Sequence, residues 1–117
     1  MKPQNPLGAI AESLATKLLE RNGFTILGRN VRFKLGEIDI LAQDGDTIVI
    51  VEVKAKSGTL FGRPVDMVNR HKQHKLWQLG QLVSLRYPGK NVRIDVVAAD
   101  YSVDPPKLEH IRNAVSI

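Results

Sequence analysis

One stretch constrains this chain more than any other. It runs Gly36-Glu37-Ile38-Asp39-Ile40-Leu41-Ala42, then Gln43-Asp44-Gly45-Asp46, then Thr47-Ile48-Val49-Ile50-Val51-Glu52-Val53-Lys54. Two runs rich in β-branched residues flank an Asp-Gly dipeptide, the strongest short-range signal for a β-hairpin. A loop of two residues (Asp44, Gly45) or of four (Gln43 to Asp46) gives one register, with Glu37 opposite Glu52 and Asp39 opposite Ile50. Side chains alternate along a strand and opposed residues share a face, so Glu37, Asp39, Glu52 and Lys54 are expected on one side of the hairpin. Ile48 and Ile50 belong to that side too, which puts an acidic cluster at the end of an apolar surface.

Carboxylates crowded in this way repel one another, and a desolvated charge is costly unless it is paired or bound to a metal. A divalent cation held by Asp39 and Glu52, with Lys54 adding positive charge, would turn a destabilising group into a site. The plainer alternative is a solvated strand end with an ordinary salt bridge, a weak and common feature.

The same residues carry a resemblance. Gly36-Glu37-Ile38-Asp39, the Asp44-Gly45-Asp46 turn, Val51-Glu52-Val53-Lys54-Ala55-Lys56, Phe61-Gly62 with Pro64 and Val68, Lys72, and Arg93-Ile94-Asp95-Val96-Val97 resemble the bacterial YraN-type family. That family is similar to archaeal Holliday-junction resolvases and to the nucleases built on the PD-(D/E)xK, restriction-endonuclease-like core. The likeness runs from about Gly8 to about Val115, with Ala11 and Arg63 standing where the family commonly has glycine. It implies a metal-dependent nuclease site in which Asp39 and Glu52 bind Mg²⁺ or Mn²⁺, Lys54 assists the attacking water, and a glutamate of the first helix, here Glu12, completes the acidic set. Glu37 would assist as an outer ligand, and Lys72 would point toward the carboxylates and the scissile phosphate.

Composition sets the frame for these expectations. A chain of 117 residues that is 43% hydrophobic can bury one core, so a single domain over residues 1–117 is expected. Without cysteine it can build neither a disulfide framework nor a thiolate zinc site, in keeping with a reducing cytoplasm. No apolar run approaches the length of a membrane span. The 17 Lys and Arg outnumber the 12 Asp and Glu, for a net charge of +5; a basic domain suits a polyanionic partner, because neutralised phosphates release their counterions.

Taken in order, Asn5-Pro6 reads as the cap and first residue of a helix that stops at Asn22-Gly23. Leu7, Ala11, Leu14, Ala15 and Leu18 form its expected apolar stripe, with Glu12 on the border, where a solvated glutamate is the ordinary outcome. Phe24 to Leu27 and Val31 to Leu35 suggest an irregular first strand whose polar face, Arg32 and Lys34, is basic. After the hairpin, Ala55 to Pro64 is too rich in Gly, Ser and Pro to be regular. It carries Lys56 and Arg63 beside Leu60-Phe61 and is expected to form a lid or groove wall next to the site.

Asn69 caps a second helix running to about Tyr87, with a stripe of Leu76, Leu79, Gly80, Val83 and Tyr87. Lys72 lies on that same buried side, an unusual place for a cation, which either snorkels outward, the usual fate, or points toward the carboxylates, as the family pattern favours. The basic start, including Arg70, His71, His74 and Lys75, is suited to a phosphate backbone at a helix N-terminus. Val92 to Ala99 reads as a strand broken by Asp95, a structural carboxylate, and Leu108 to Ile111 as a short edge strand after Asp104-Pro105-Pro106.

The expected architecture is therefore α/β: a restriction-endonuclease-like mixed β-sheet flanked by helices in the order α-β-β-β-α-β-β. The expected activity is Mg²⁺-dependent hydrolysis of DNA phosphodiesters, with branched or junction DNA among the candidate substrates. The alternative is a non-catalytic nucleic-acid-binding module of the same fold. A junction cutter would need two sites for paired nicks, so a homodimer belongs to that version of the reading. Metal ligands are expected at Asp39, Glu52 and Glu12, and nucleic-acid contacts at Lys56, Arg63, Arg70 and Lys75.

Overall fold

The computed structural model describes residues 6–57 and 68–116. Its elements follow the expected order: α1 (Pro6–Arg21), β1 (Thr25–Phe33), β2 (Gly36–Asp44), β3 (Thr47–Lys56), α2 (Arg70–Arg86), β4 (Asn91–Asp100) and β5 (Lys107–Val115). The strands make one mixed sheet in the order β1-β2-β3-β4-β5. Neighbours are antiparallel except β3 and β4, which run parallel with α2 as the crossover between them.

Alternation along the central strands sorts the core into two layers. Ile48, Ile50, Ile94 and Val96 meet Leu76, Leu79 and Val83 of α2. Val49, Val51 and Val97, with Ile40 and Ala42, meet Ala15 and Leu19 of α1 and Phe24 beyond it. β3 and β4 are thus covered on both faces, which is why they read as nearly continuous apolar runs.

The helix signals explain where the helices start and stop. The Asn69 Oδ1 accepts a hydrogen bond from the Lys72 amide at 2.9 Å, the expected cap of α2. Gly23, with φ of +88°, ends α1 in the left-handed conformation that glycine adopts without strain. The stripe of α1, however, is rotated from the expected one. The helix buries Ala11, Glu12, Ala15 and Leu19, while Leu7 is 46% exposed. That rotation carries Glu12 from the expected border into the interior.

The hairpin register differs from both versions worked out on paper, and the reason is the turn. Asp44 pairs with Thr47 and Ile40 with Val51, leaving Gly45-Asp46 as the loop. Gly45 has φ of +61°, so it takes the first loop position that demands a positive φ, and Asp44 becomes the last paired residue instead of a loop residue. The shift is by an even number of residues, so the faces are unchanged. Continuing the register places Asp39 opposite Glu52, not opposite Ile50, and Glu37 opposite Lys54, not opposite Glu52.

The edge strands settle two more points. β1 is the expected irregular first strand and not a hairpin, with its irregularity absorbed as a bulge between Ile26 and Gly28 and a left-handed Asn30 (φ 52°). β5 runs through Val115 and not only to Ile111, because Ile111, Ala114 and Val115 join the core under α2. The expected lid from Ala55 to Pro64 lies, past Ser57, outside the described residues. Among the described residues no helix is long and apolar enough to cross a membrane.

Candidate active site

The sheet forks where the chemistry-bearing residues stand. Pairing between β2 and β3 ends at Ile40–Val51, yet β2 stays paired with β1 as far as Gly36–Phe33 and β3 stays with β4 as far as Lys56–Asp100. Past Ile40 and Val51 each strand of the hairpin therefore follows its outer neighbour. Asp39 lies at the crotch of this fork. Its Oδ2 accepts a hydrogen bond from the Val53 amide at 2.8 Å, so a side chain takes over from the backbone ladder at the point where the ladder stops.

A cleft of about 350 Å³ opens there. Its floor and walls are Glu37 and Asp39 of β2, Glu52 of β3, Arg32 and Phe33 of β1, and Lys72, Lys75 and Leu79 of α2, with Gly36 at the rim. Alternation from the buried Ile48 and Ile50 brings Glu52 to the α2 side of the sheet. The N-terminal turns of α2 then lay Lys72 and Lys75 across the opening.

Glu52 is the most constrained member, with a side chain only 5% exposed. The Lys54 ammonium lies 3.7 Å from its Oε1 and the Lys72 ammonium 3.5 Å from its Oε2. At that length the Lys72 contact is an ion pair and not a hydrogen bond, and the buried Oε2 accepts no hydrogen bond among the described residues. Burial, reinforced by the negative charge of Asp39, pushes the Glu52 carboxyl up to about 7 from 4.5, against the opposing pull of Lys72 and Lys54. The two lysines only partly offset what burial and the second carboxylate cost.

Glu37 is held in the same cleft by Arg32, at 3.6 Å across the β1–β2 pair. Arg32 was legible in the sequence as part of a basic strand face, but its partner was not. Leu79, expected only as part of the apolar stripe of α2, forms with Phe33 the apolar part of the cleft. Phe33 is backed by the Arg86 guanidinium, 4.7 Å from the ring centre, so one face of the ring is taken.

The remaining expected residues are placed as follows. Glu12 is buried on α1, with the Arg29 guanidinium 3.8 Å from its Oε1, and does not line the cleft that holds Asp39 and Glu52. Among the described residues no three histidine, aspartate or glutamate side chains stand together as a metal-binding group. Lys56 lines a separate hollow of about 110 Å³ with Asp100, Lys107 and Glu109. Arg70 is exposed at the first residue of α2, and Arg63 lies outside the described residues.

Asp95, read as structural, is fully buried and fully bonded on the α1 side of the sheet. It accepts from Arg93 at 2.9 and 3.1 Å and from the Asn113 amide at 2.9 Å, and it bonds His110 Nε2 at 2.8 Å. Burial alone would raise its pKa, but the hydrogen bonds from His110, Arg93 and Asn113 win and lower it. Its bond to Asp95 holds Arg93 above its ordinary value.

Residues 11–99 match the uncharacterised protein family UPF0102. The chain belongs to that family. It is 36% identical over 115 residues to a UPF0102 protein of Clostridium kluyveri, covering 95% of this chain and 94% of the other. It is 43% identical over 112 residues to one of Thermodesulfovibrio yellowstonii, covering 92% and 94%. Among solved structures it is similar to a repair endonuclease from Pyrococcus abyssi, with a TM-score of 0.51 at 21% identity. That match covers 83% of this chain but only 40% of the archaeal one, so the UPF0102 chain spans less than half of that protein. The likeness is one of fold: the α/β, endonuclease-like sheet with helices on both faces, as expected from the sequence.

Proposed function

We propose that this UPF0102 protein is a divalent-cation-dependent nuclease that hydrolyses phosphodiester bonds in DNA. The observation that carries the reading is the fork: Asp39 and Glu52 face each other where two strands part, with Lys54 and Lys72 on either side of the buried carboxylate. The donor chemistry fits a hard cation. Every candidate ligand is a carboxylate oxygen, and Mg²⁺ typically takes one or two of these while keeping places for water and phosphate. The buried Oε2 of Glu52, which accepts no hydrogen bond among the described residues, and a carboxyl pushed up toward neutrality mark a place where positive charge is wanted.

Asp39 and Glu52 would hold the ion, with Glu37 near enough in the cleft to serve through water. When bound, Mg²⁺ or Mn²⁺ would act as a Lewis acid on the phosphate and make water more acidic. The protein's own part is positioning and charge. The Val53 amide fixes the Asp39 carboxylate, and the Lys54 ammonium stabilises negative charge developing on the phosphorane-like oxygens. Arg32 and Lys75, on the cleft walls, would hold flanking phosphates, and Phe33 and Leu79 would limit the water that surrounds the reacting group.

The test is cleavage of a panel of linear, flapped, single-stranded and four-way DNA substrates, with RNA alongside, in Mg²⁺ and in Mn²⁺. Asp39→Asn and Glu52→Gln are each expected to reduce cleavage by about a hundredfold or more. Wild-type rates in both variants would end the nuclease reading. DNA binding by the wild type without cation dependence or turnover would instead favour a binding module.

A further inference from the structure

The two lysines beside Glu52 are not equivalent. Lys54 follows Glu52 two residues along the same strand, and its ammonium lies 3.7 Å from Oε1, on the carboxylate's own side of the cleft. Lys72 comes from the facing helix and reaches across the cleft to the other carboxylate oxygen, 3.5 Å away. A charge-assisted hydrogen bond would close to about 2.8 Å, so the Lys72 contact is a loose one. Its side chain is 31% exposed, and a flexible four-carbon stem allows the ammonium to turn away from Glu52 without moving the helix.

Charge bookkeeping gives this looseness a consequence. Glu37, Asp39 and Glu52 on the cleft floor stand against Arg32, Lys72 and Lys75 on its walls, with Lys54 beside them. The group is close to balanced without any ion. Arg32 is engaged by Glu37 and Lys72 by Glu52, so much of the positive charge that could meet a phosphate is occupied by the floor. A dication between Asp39 and Glu52 would leave Lys72 facing like charge and without a reason to stay.

We propose that Lys72 is a stand-in for the divalent cation at Glu52, displaced when the ion arrives and thereby released to hold a phosphate. The inference rests on the reading of Asp39 and Glu52 as the ion site and adds a coupling to it: ion and phosphate bind more tightly together than apart. Such coupling is reciprocal by linkage, so it is visible from either ligand.

The test uses the full-length protein and needs no turnover. Mg²⁺ affinity is measured by calorimetry for wild type, Lys72→Met, Lys72→Arg, Lys75→Met and Glu52→Gln. Thymidine 5′-monophosphate, which has no phosphodiester to cleave, is titrated by NMR with and without millimolar Mg²⁺. Thermal melts confirm that each variant is folded. Lys72→Met is expected to bind Mg²⁺ about fivefold more tightly than wild type, because a competing cation worth up to roughly 1 kcal/mol is gone. Lys72→Arg keeps the wild-type value. Lys75→Met removes an equal charge from the same cleft without touching Glu52 and stays within about twofold of wild type.

In wild type, Mg²⁺ is expected to tighten mononucleotide binding about fivefold, the low end of ordinary coupling, and in Lys72→Met that gain falls below about twofold. Ion binding that is equal or weaker in Lys72→Met, or an unchanged gain for the mononucleotide, overturns the exchange while leaving the ion site standing. Absence of Mg²⁺ binding in wild type overturns both. Binding that persists in Glu52→Gln overturns the placement of the ion at Glu52, and the exchange with it.

Discussion

The Val53 amide donates to Asp39 Oδ2 at 2.8 Å, across the line where β2 and β3 stop exchanging backbone hydrogen bonds. An acidic residue of the candidate site is therefore also the clasp that finishes the hairpin. The two roles separate by substitution. Asp39→Asn keeps an oxygen acceptor for Val53 and should fold normally, whereas Asp39→Ala leaves the amide without its partner and should cost about 1 kcal/mol of stability in a denaturant melt. Both remove the negative charge that helps to push up Glu52. The Glu52 carboxyl, followed by NMR, should therefore titrate clearly below its wild-type value of about 7 in Asp39→Asn. An unchanged titration would show that the Asp39 charge plays no part in raising it.

The raised pKa of Glu52 also fixes the sign of a pH effect on stability. Between 4.5 and about 7 the folded protein keeps a proton on Glu52 that the unfolded chain has released. Stability from this group is thus fully present below 4.5 and is lost as pH rises through 7, a loss on the order of 3 kcal/mol in the absence of metal. Glu52→Gln removes the titration. Without divalent ions it should be more stable than wild type at pH 8, with the difference shrinking toward pH 5. Parallel melts of both proteins in EDTA would decide it, and a gap that does not narrow with falling pH would contradict the assignment.

Much of this site was legible before any coordinates. Side chains alternate on paired strands, so the faces expected for Asp39 and Glu52 depended only on the parity of the loop, and parity survived an error of two in the register. Next to Asp39, however, the alternation breaks, with Ile38 in the α2 layer and Ile40 in the α1 layer. The register itself was not legible, because Asp44 and Gly45 are equally good turn residues by composition. What decides is which position needs a positive φ, together with Arg93 and Arg112 holding the Asp44 carboxylate at 3.2 and 3.3 Å from distant strands. The burial of Glu12 was missed for a related reason. A helix with small apolar residues on several sides has no sharp stripe, and the sheet it packs on chose Leu19 over Leu7. The fork that opens the cleft leaves no local signal, since it arises from β2 and β3 each staying with an outer neighbour.

Asp95 gives a prediction that separates fold from function. Arg93, His110 and the Asn113 amide converge on a carboxylate with no exposure, on the face of the sheet opposite the cleft. Asp95→Ala leaves Arg93 and His110 without their shared partner and should destabilise the protein by about 3–5 kcal/mol. The Asp95 pKa is lowered, so its contribution is present above 3.8 and fades as pH falls through the folded value; the variant's deficit should narrow in acid. Because the network stands apart from the cleft, whatever fraction stays folded should retain wild-type cation affinity. A loss of that affinity in fully folded Asp95→Ala would tie the two faces together.

The cation itself should register as stability. A ligand that binds only the native state adds RT ln(1 + [L]/Kd), about 1.4 kcal/mol for an ion at ten times a millimolar dissociation constant. For a domain of this size that corresponds to a rise of roughly 5 °C in Tm. Glu52 must give up its proton to serve as a ligand, so the rise should be larger at pH 8 than at pH 6, opposite in sign to the metal-free pH trend of the same carboxyl. EDTA should reverse it, and Glu52→Gln should show almost none at either pH. If Mg²⁺ and Mn²⁺ leave the wild-type melt unmoved at pH 8, or raise Glu52→Gln by the same amount, the ion is not held between Asp39 and Glu52.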